Sequence, residues 1–216
     1  MPTIRTAAPE FEPVSLTLAK LHCRVDTSAD DSLFTSVIIP GAREVAEQEL
    51  RRSIMLQTWR KTMDCFEEDQ ILLPWPNLLS VTSVQYRDTD ANWQTLATSA
   101  YIVDTDSVPG RVLRPVNTMW PITHPERGSV KVTYTAGYAS GTESAQQAAV
   151  PASVKNWMLL AIATAYEHRA ELVAGVTVSA LVGRFVDRLL DRERVYAPTD
   201  EDDDASLVLD VRPVCR

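Results

Sequence analysis

The chain has 216 residues, 45% hydrophobic and 23% charged, which is ordinary for a globular protein and long enough for one large domain or two small ones. Its formal net charge of −8 excludes a global positive field that would gather nucleic acid, so DNA binding would need a local basic patch. Three cysteines, Cys23, Cys65 and Cys215, form no C-x-x-C pair and leave an odd count, which argues against a disulfide framework or a zinc site and fits a reducing cytosol.

From the N-terminus, "MPTIRTAAPEFEPVS" carries no apolar core of signal-peptide length, and no apolar run approaches the roughly 18 residues of a membrane span. We therefore expect a soluble protein made in the cytoplasm, with no membrane partner. Ser15 is placed to cap a short helix in which Leu18, Leu21 and Val25 recur at helical spacing. Asp30 and Asp31 open a longer one, with Leu33, Phe34, Val37, Ile38, Val45 and Ala46 on one stripe up to about Leu50. Pro40 lies inside that stripe, so the pattern predicts a kink or break at Ile39, or two shorter helices joined by a corner.

Near Leu56 the pattern changes to strands. "LQTWRKTMDCF" and "LLSVTSVQYRD" alternate, "ILLPWP" is a short apolar run closed by prolines, and "DTDAN" followed by "WQTL" signals a hairpin. "YIVD", "GRVLRP" and "VKVTYTAGY" complete an antiparallel β block over 55–136, which ends at Gly137. A Gly-, Ser- and Gln-rich linker is expected over 137–150, with Gly137 and Gly141 as candidate hinges. Pro151 then suits the first turn of a helix whose apolar stripe is Val154, Met158, Ala161, Ile162, Ala165 and Tyr166, ending near Leu172. A last helix is expected from about Val178 to Val195, where Arg184 can meet Asp187 and Arg188 can meet Asp191. Five consecutive acids, 200–204, read as a solvated linker to a tail in which Leu207, Leu209 and Val211 alternate as in a strand.

The common catalytic motifs are absent: no G-x-G-x-x-G, no P-loop, no G-x-S-x-G and no H-E-x-x-H. His22, His124 and His168 are far apart in sequence, and an enzyme would need a pocket uniting His168 with Glu167 or Glu171 and a cysteine. The acidic run lacks the spaced ligands and glycine of a calcium loop. Neither a metal nor a cofactor is expected, and no catalytic residue is assigned. Arg51-Arg52 and Arg60-Lys61 are short basic pairs, while the four arginines from Arg184 to Arg194 are offset by three acids. Trp75, Trp93, Trp120 and Trp157 fall in separate elements and read as core or turn packing rather than a base-stacking platform.

The ordered series "LTLAKLHCRVD", "AREVAEQEL", "QTWRKTMDCF", "ILLPWPNLLSVTSVQYRD", "SAYIVD", "GRVLRP", "VKVTYTAGY" and "VPASVKNWMLLAIATAYEHR", over roughly residues 15 to 172, resembles the head-to-tail connector (adaptor) proteins of tailed bacteriophages. Pro40 and the acidic C-terminal extension depart from the usual pattern of that family. The resemblance implies an α+β fold: an α-helical bundle made by 1–54 and 151–196, an inserted antiparallel β-module, and an extended tail over 197–216. It also implies a ring, commonly of twelve copies, docked beneath the portal protein in the virion neck. The ring's partners would be the portal, neighbouring copies, the next neck or tail protein, and DNA passing through without sequence-specific binding. Arg184, Arg188, Arg192, Tyr196, Leu207, Leu209 and Val211 are the candidate portal or subunit contacts, and the tail is expected to order on such contact. Acids lining a channel would repel phosphates and let DNA slide. The competing reading is a nucleic-acid-binding packaging or head-completion component.

Overall fold

Alternation is most regular in two strands, Gln57–Met63 and Val130–Ala136, where every second side chain is buried. Those inward residues, among them Trp59, Met63, Val130, Val132, Tyr134 and Ala136, form one face of an apolar core. The structure, a computed structural model, describes residues 2–67, 69–168 and 188–195. It is α+β, with antiparallel sheets and helices gathered in two separate units.

The β unit holds the chain up to Ala8 together with Gln57–Gly137. Its eight strands are β1 (Thr3–Ala7), β2 (Gln57–Met63), β3 (Gln70–Leu73), β4 (Leu78–Arg87), β5 (Trp93–Thr95), β6 (Ile102–Asp104), β7 (Gly110–Leu113) and β8 (Val130–Ala136). Five form a sheet in the order β1-β2-β8-β4-β5, and three form a second sheet in the order β3-β7-β6. Ile71, Leu73 and Val112 from the smaller sheet join the same core. Gly110 permits the contact between them, because a Cβ there would sit 2.4 Å from Leu78 Cβ. The N-terminal arm, expected with the helices, instead contributes β1, which pairs with β2 from Thr3 opposite Lys61 to Ala7 opposite Thr58. Its exposed residues carry almost no apolar alternation, so only hydrogen bonding to β2 marks it as a strand.

The helical unit holds Pro9–Leu56 and Tyr138–Val195. Helix α1 (Leu16–Cys23) starts at Ser15, whose hydroxyl accepts from Leu18 N–H at 3.3 Å, as expected. The acids ahead of the next helix do not cap it with their side chains. Asp31 pairs with Lys20 at 2.6 Å, and Asp30 accepts from the Tyr166 hydroxyl at 2.8 Å.

Of the alternatives expected at Ile39, a full break does not occur, but the helix does change type there. A helical run passes without interruption through α2 (Asp31–Leu33), a π-helical turn (Phe34–Ile38) and α3 (Ile39–Leu50). In the π turn Ile39 N–H bonds to Phe34 O, five residues back, and this wider ring relieves the crowding that the Pro40 ring imposes on the preceding turn. The proline is thus absorbed by a change of helix type.

The stretch expected as a linker contains a further helix, α4 (Glu143–Ala149), capped by the Thr142 hydroxyl accepting from Ala145 N–H at 3.4 Å. Gly141, at φ 101°, supplies the left-handed turn before that cap. Helix α5 (Ala152–Glu167) ends at His168, short of the expected Leu172. Its Val154, Trp157, Met158 and Ile162 pack with Phe34, Ile38, Ala46 and Leu50 in the helical core. Of the last expected helix, only 188–191 lies among the described residues in helical form, with Leu190 fully buried in that core.

Polar groups knit the helical unit as well. Arg43, 4% exposed, donates to Glu12 at 2.9 Å and to Glu47 at 3.0 Å, and Glu47 accepts from Ile54 N–H at 3.1 Å. Farther along the chain, Tyr138 OH donates to Glu193 at 3.0 Å and Val195 N–H bonds to Leu50 O, fixing residues 193–195 to the end of α3.

Candidate interaction surfaces

The outward face of the five-stranded sheet is set by the same alternation that builds the core. Between the buried positions of β2 and β8 lie Thr58, Arg60, Thr62, Lys131, Thr133 and Thr135, all half-buried. Strand register then places the charges. Arg60 stands opposite Thr133, Lys131 stands between Thr62 and Gln85, and Arg87 bonds through its N–H to Ser129 O. Along β8 these rungs fall at 133, 131 and 129, so Arg60, Lys131 and Arg87 form a straight diagonal across three adjacent strands.

The hairpin from β4 to β5 ends that diagonal. The Asp88 carboxylate accepts from Asp90 N–H at 3.0 Å, Asn92 N–H at 2.9 Å and the Gln94 amide at 2.8 Å, which closes the turn predicted from "DTDAN". These bonds, that from Gln94 first, hold the Asp88 carboxyl below its usual range. The closed turn sets Trp93 directly opposite Arg87. Lys131 Nζ lies 3.8 Å from the centre of the Trp93 ring and Arg87 Cζ lies 5.2 Å from it.

The stripe is under-compensated. Arg87 is ion-paired with Glu126, but among the described residues neither Arg60 nor Lys131 has a carboxylate partner. The Nε atoms of both Arg60 and Arg87 are buried without an acceptor. Partial burial, reinforced by the nearby Arg60 and Arg87 charges, lowers the Lys131 pKa. Like charges at diagonal sheet positions are unfavourable, so this arrangement is a cost to the fold and a resource for binding an anion.

Two apolar surfaces accompany it. In the β unit, Trp120 stacks on Phe66 with centroids 4.8 Å apart, which anchors the loop after β7. The same loop leaves Val116 86%, Met119 88% and Ile122 65% exposed. In the helical unit, Val37, Gly41 and Val45 face Trp157, Ala161 and Ala165 across an open apolar groove of about 470 Å³.

Of the residues singled out from sequence, Arg188 and Arg192 are exposed on and just after the short helix 188–191. Arg184, Tyr196, Leu207, Leu209 and Val211 lie outside the described residues, as do Glu171 and the acidic run. Asp191 approaches Arg194, at 3.8 Å. Gly137 closes β8, its N–H bonded to Asn77 O at 2.9 Å. Trp75, Trp120 and Trp157 pack as expected, with Trp75 stacked on Trp59 at 4.8 Å, whereas Trp93 is a surface residue under two cations. Sequence reasoning passed over Lys131 and Arg87, which are 44 residues apart and meet only through strand register.

Reactive chemistry finds little support here. Burial, and then the Glu167 carboxylate, raise the Cys23 thiol pKa, the opposite of what a thiolate nucleophile needs. No group of three or more potential metal ligands occurs among the described residues. No single described helix is long and apolar enough to cross a membrane.

No protein-family model and no curated protein matches this sequence. Solved structures do match its fold. A chain from the neck of an empty gene transfer agent particle, computed with C6 symmetry, superposes with a TM-score of 0.73 at 20% identity, over 93% of this chain and 98% of that one. A chain from the virion of the native particle gives 0.71 at 19% identity, and one from the native neck computed with C12 symmetry gives 0.66 at 19%, both with the same coverage. These matches are consistent with the connector resemblance drawn from the sequence. Over nearly its whole length, the chain has the fold of a chain found in the neck of a phage-like particle.

Proposed function

We propose that this protein is a structural component of the virion neck of a tailed phage or phage-like particle, a head-to-tail connector that forms a ring beneath the portal. The observation that carries this reading is the likeness to chains of a gene transfer agent particle over 93% of this chain and 98% of theirs. The C6 and C12 symmetries of the neighbours' necks support a homo-oligomeric ring, and twelve copies would match the twelve-fold case. The ring joins the DNA-filled capsid to the next neck or tail protein and forms part of the DNA channel. It binds no cofactor and performs no catalysis.

A cyclic ring needs two different complementary patches on each subunit. The apolar loop bearing Val116, Met119 and Ile122 is one surface suited to a neighbouring neck protein, and Arg188 and Arg192 are exposed for contact with the portal or an adjacent copy. Gly137, at the end of the β unit, and Gly141, within the helical unit, are the proposed hinge positions of the segment after β8. Arg184, Tyr196, Leu207, Leu209 and Val211 complete the proposed contacts, with the tail ordering as it meets the portal or a second copy.

Assembly without this protein is the direct test. Particles made in its absence should stop as DNA-filled heads lacking tails. Normal yields of tailed, infectious or transducing particles would refute the reading. The second reading, a DNA-binding packaging or head-completion component, is favoured by the cationic stripe. It requires binding of the isolated protein to DNA that weakens steeply with salt.

A further inference from the structure

From the charge pattern on the outward sheet face, we infer that the stripe Arg60–Lys131–Arg87 is the docking site for the acidic segment 200–204 of this same chain. The stripe has the chemistry of a carboxylate receptor. It offers two cations with no carboxylate partner among the described residues, one cation shared with Glu126, and neutral threonine hydroxyls around them.

Spacing supports the match. Successive cations sit one strand over and two residues along, which at about 4.8 Å per strand and about 3.4 Å per residue separates their backbone positions by roughly 8 Å. In an extended segment alternate side chains share a side and recur about every 6.8 Å. If extended, 200–204 would present the carboxylates of Asp200, Asp202 and Asp204 on one side at nearly the pitch of the three cations, with the long Arg and Lys side chains absorbing the remainder.

Charge also decides between this occupant and nucleic acid. A protein bound through DNA phosphates ordinarily neutralises about six to ten of them, whereas this stripe has three cations, one already paired. The Trp93 ring, the one aromatic on the stripe, is covered by Lys131 and Arg87, so a base could stack there only by displacing a cation. A net charge of −8 further opposes the approach of a polyanion, while a segment tethered to the same chain needs no such approach.

The test uses the full chain at low salt with a water-soluble carbodiimide, which condenses an amine with a carboxylate only where the two already touch. Peptide mapping should find Lys131 joined to a carboxylate within 200–204 of its own chain, and a link formed only between two copies would overturn the same-chain assignment. The link should be lost at about 1 M salt, where the screening length falls to about 3 Å, and reduced in R60Q. It should vanish in a folded variant whose five acids are replaced by Asn or Gln. Absence of the link in a protein whose Lys131 still reacts with a small acetylating reagent would overturn the inference. So would protection of Lys131 from that reagent by a duplex or single-stranded oligonucleotide to the same extent with and without the five acids.

Discussion

Arg43 shows how much a single side chain holds in the helical unit. Its guanidinium is almost wholly buried between Glu12 and Glu47, and Glu47 is itself 4% exposed. Truncation would take the guanidinium away from the buried Glu47 carboxylate, which also accepts from Ile54 N–H. Arg43→Ala should cost about 3–5 kcal/mol of stability, read as a fall in the denaturant midpoint of the helical unit followed by Trp157 fluorescence. Tyr138 makes a prediction in pH. Burial, moderated by Arg52 and reinforced by Glu193, pushes its phenol from 10.0 up to about 12. Below pH 10 both the folded and the unfolded chain keep the proton, so stability is unaffected. Between 10 and 12 the unfolded chain loses it first, and stability falls as pH rises through that window. Tyr138→Phe should flatten this alkaline decline while removing the hydrogen bond to Glu193 at all lower pH, which unfolding curves at pH 8 and pH 11 would separate.

At the scale of elements, a π turn accommodates Pro40, a hairpin fixes Trp93, and a loop exposes three large apolar side chains. The loop is the element whose cost to solubility most needs a reason, since Met119 and Ile122 cover nothing within the described residues of this chain while Trp120 pins the backbone beneath them. The pair M119D/I122D should leave the thermal midpoint essentially unchanged, because exposed positions contribute little to the fold. Assembly into rings or onto particles should fall on the order of tenfold or more if the loop anchors a contact. Light scattering alongside thermal unfolding reads both.

Elements also explain what could be read in advance. Ser15, the period of β2 and β8, and the turn at Asp88 are local signals, and each element formed where the sequence pointed. Strand β1 escaped because an exposed edge strand leaves no alternation to detect. Pro40 marked where the helix is irregular but not the form of the irregularity, because a proline signals strain and not how the helix relieves it. The cationic stripe was invisible for a different reason. "RK" at 60–61 looked like one basic pair, yet a strand sends Arg60 outward and Lys61 inward to Glu67 at 2.7 Å, and the true companions of Arg60 come from β8 and β4. Sheet surfaces assembled from distant strands cannot be read without the register.

At the scale of the whole molecule, the proposed role is that of an assembly part acting through its surfaces. The acid excess of the chain and the local basic stripe are compatible in that setting: overall negative charge disfavours adhesion to DNA, while a few placed cations hold an acidic segment. The proposed neck position rests on a resemblance spread over eight collinear segments and on a fold shared over 93% of the chain with chains of a gene transfer agent particle. The most direct test of that position is co-sedimentation of the purified, folded protein with DNA-filled tailless capsids, beside capsids that lack the portal. A connector should bind saturably to the portal-bearing capsids alone, near one copy per portal subunit. Binding to neither kind of capsid, or equal binding to both, would contradict it.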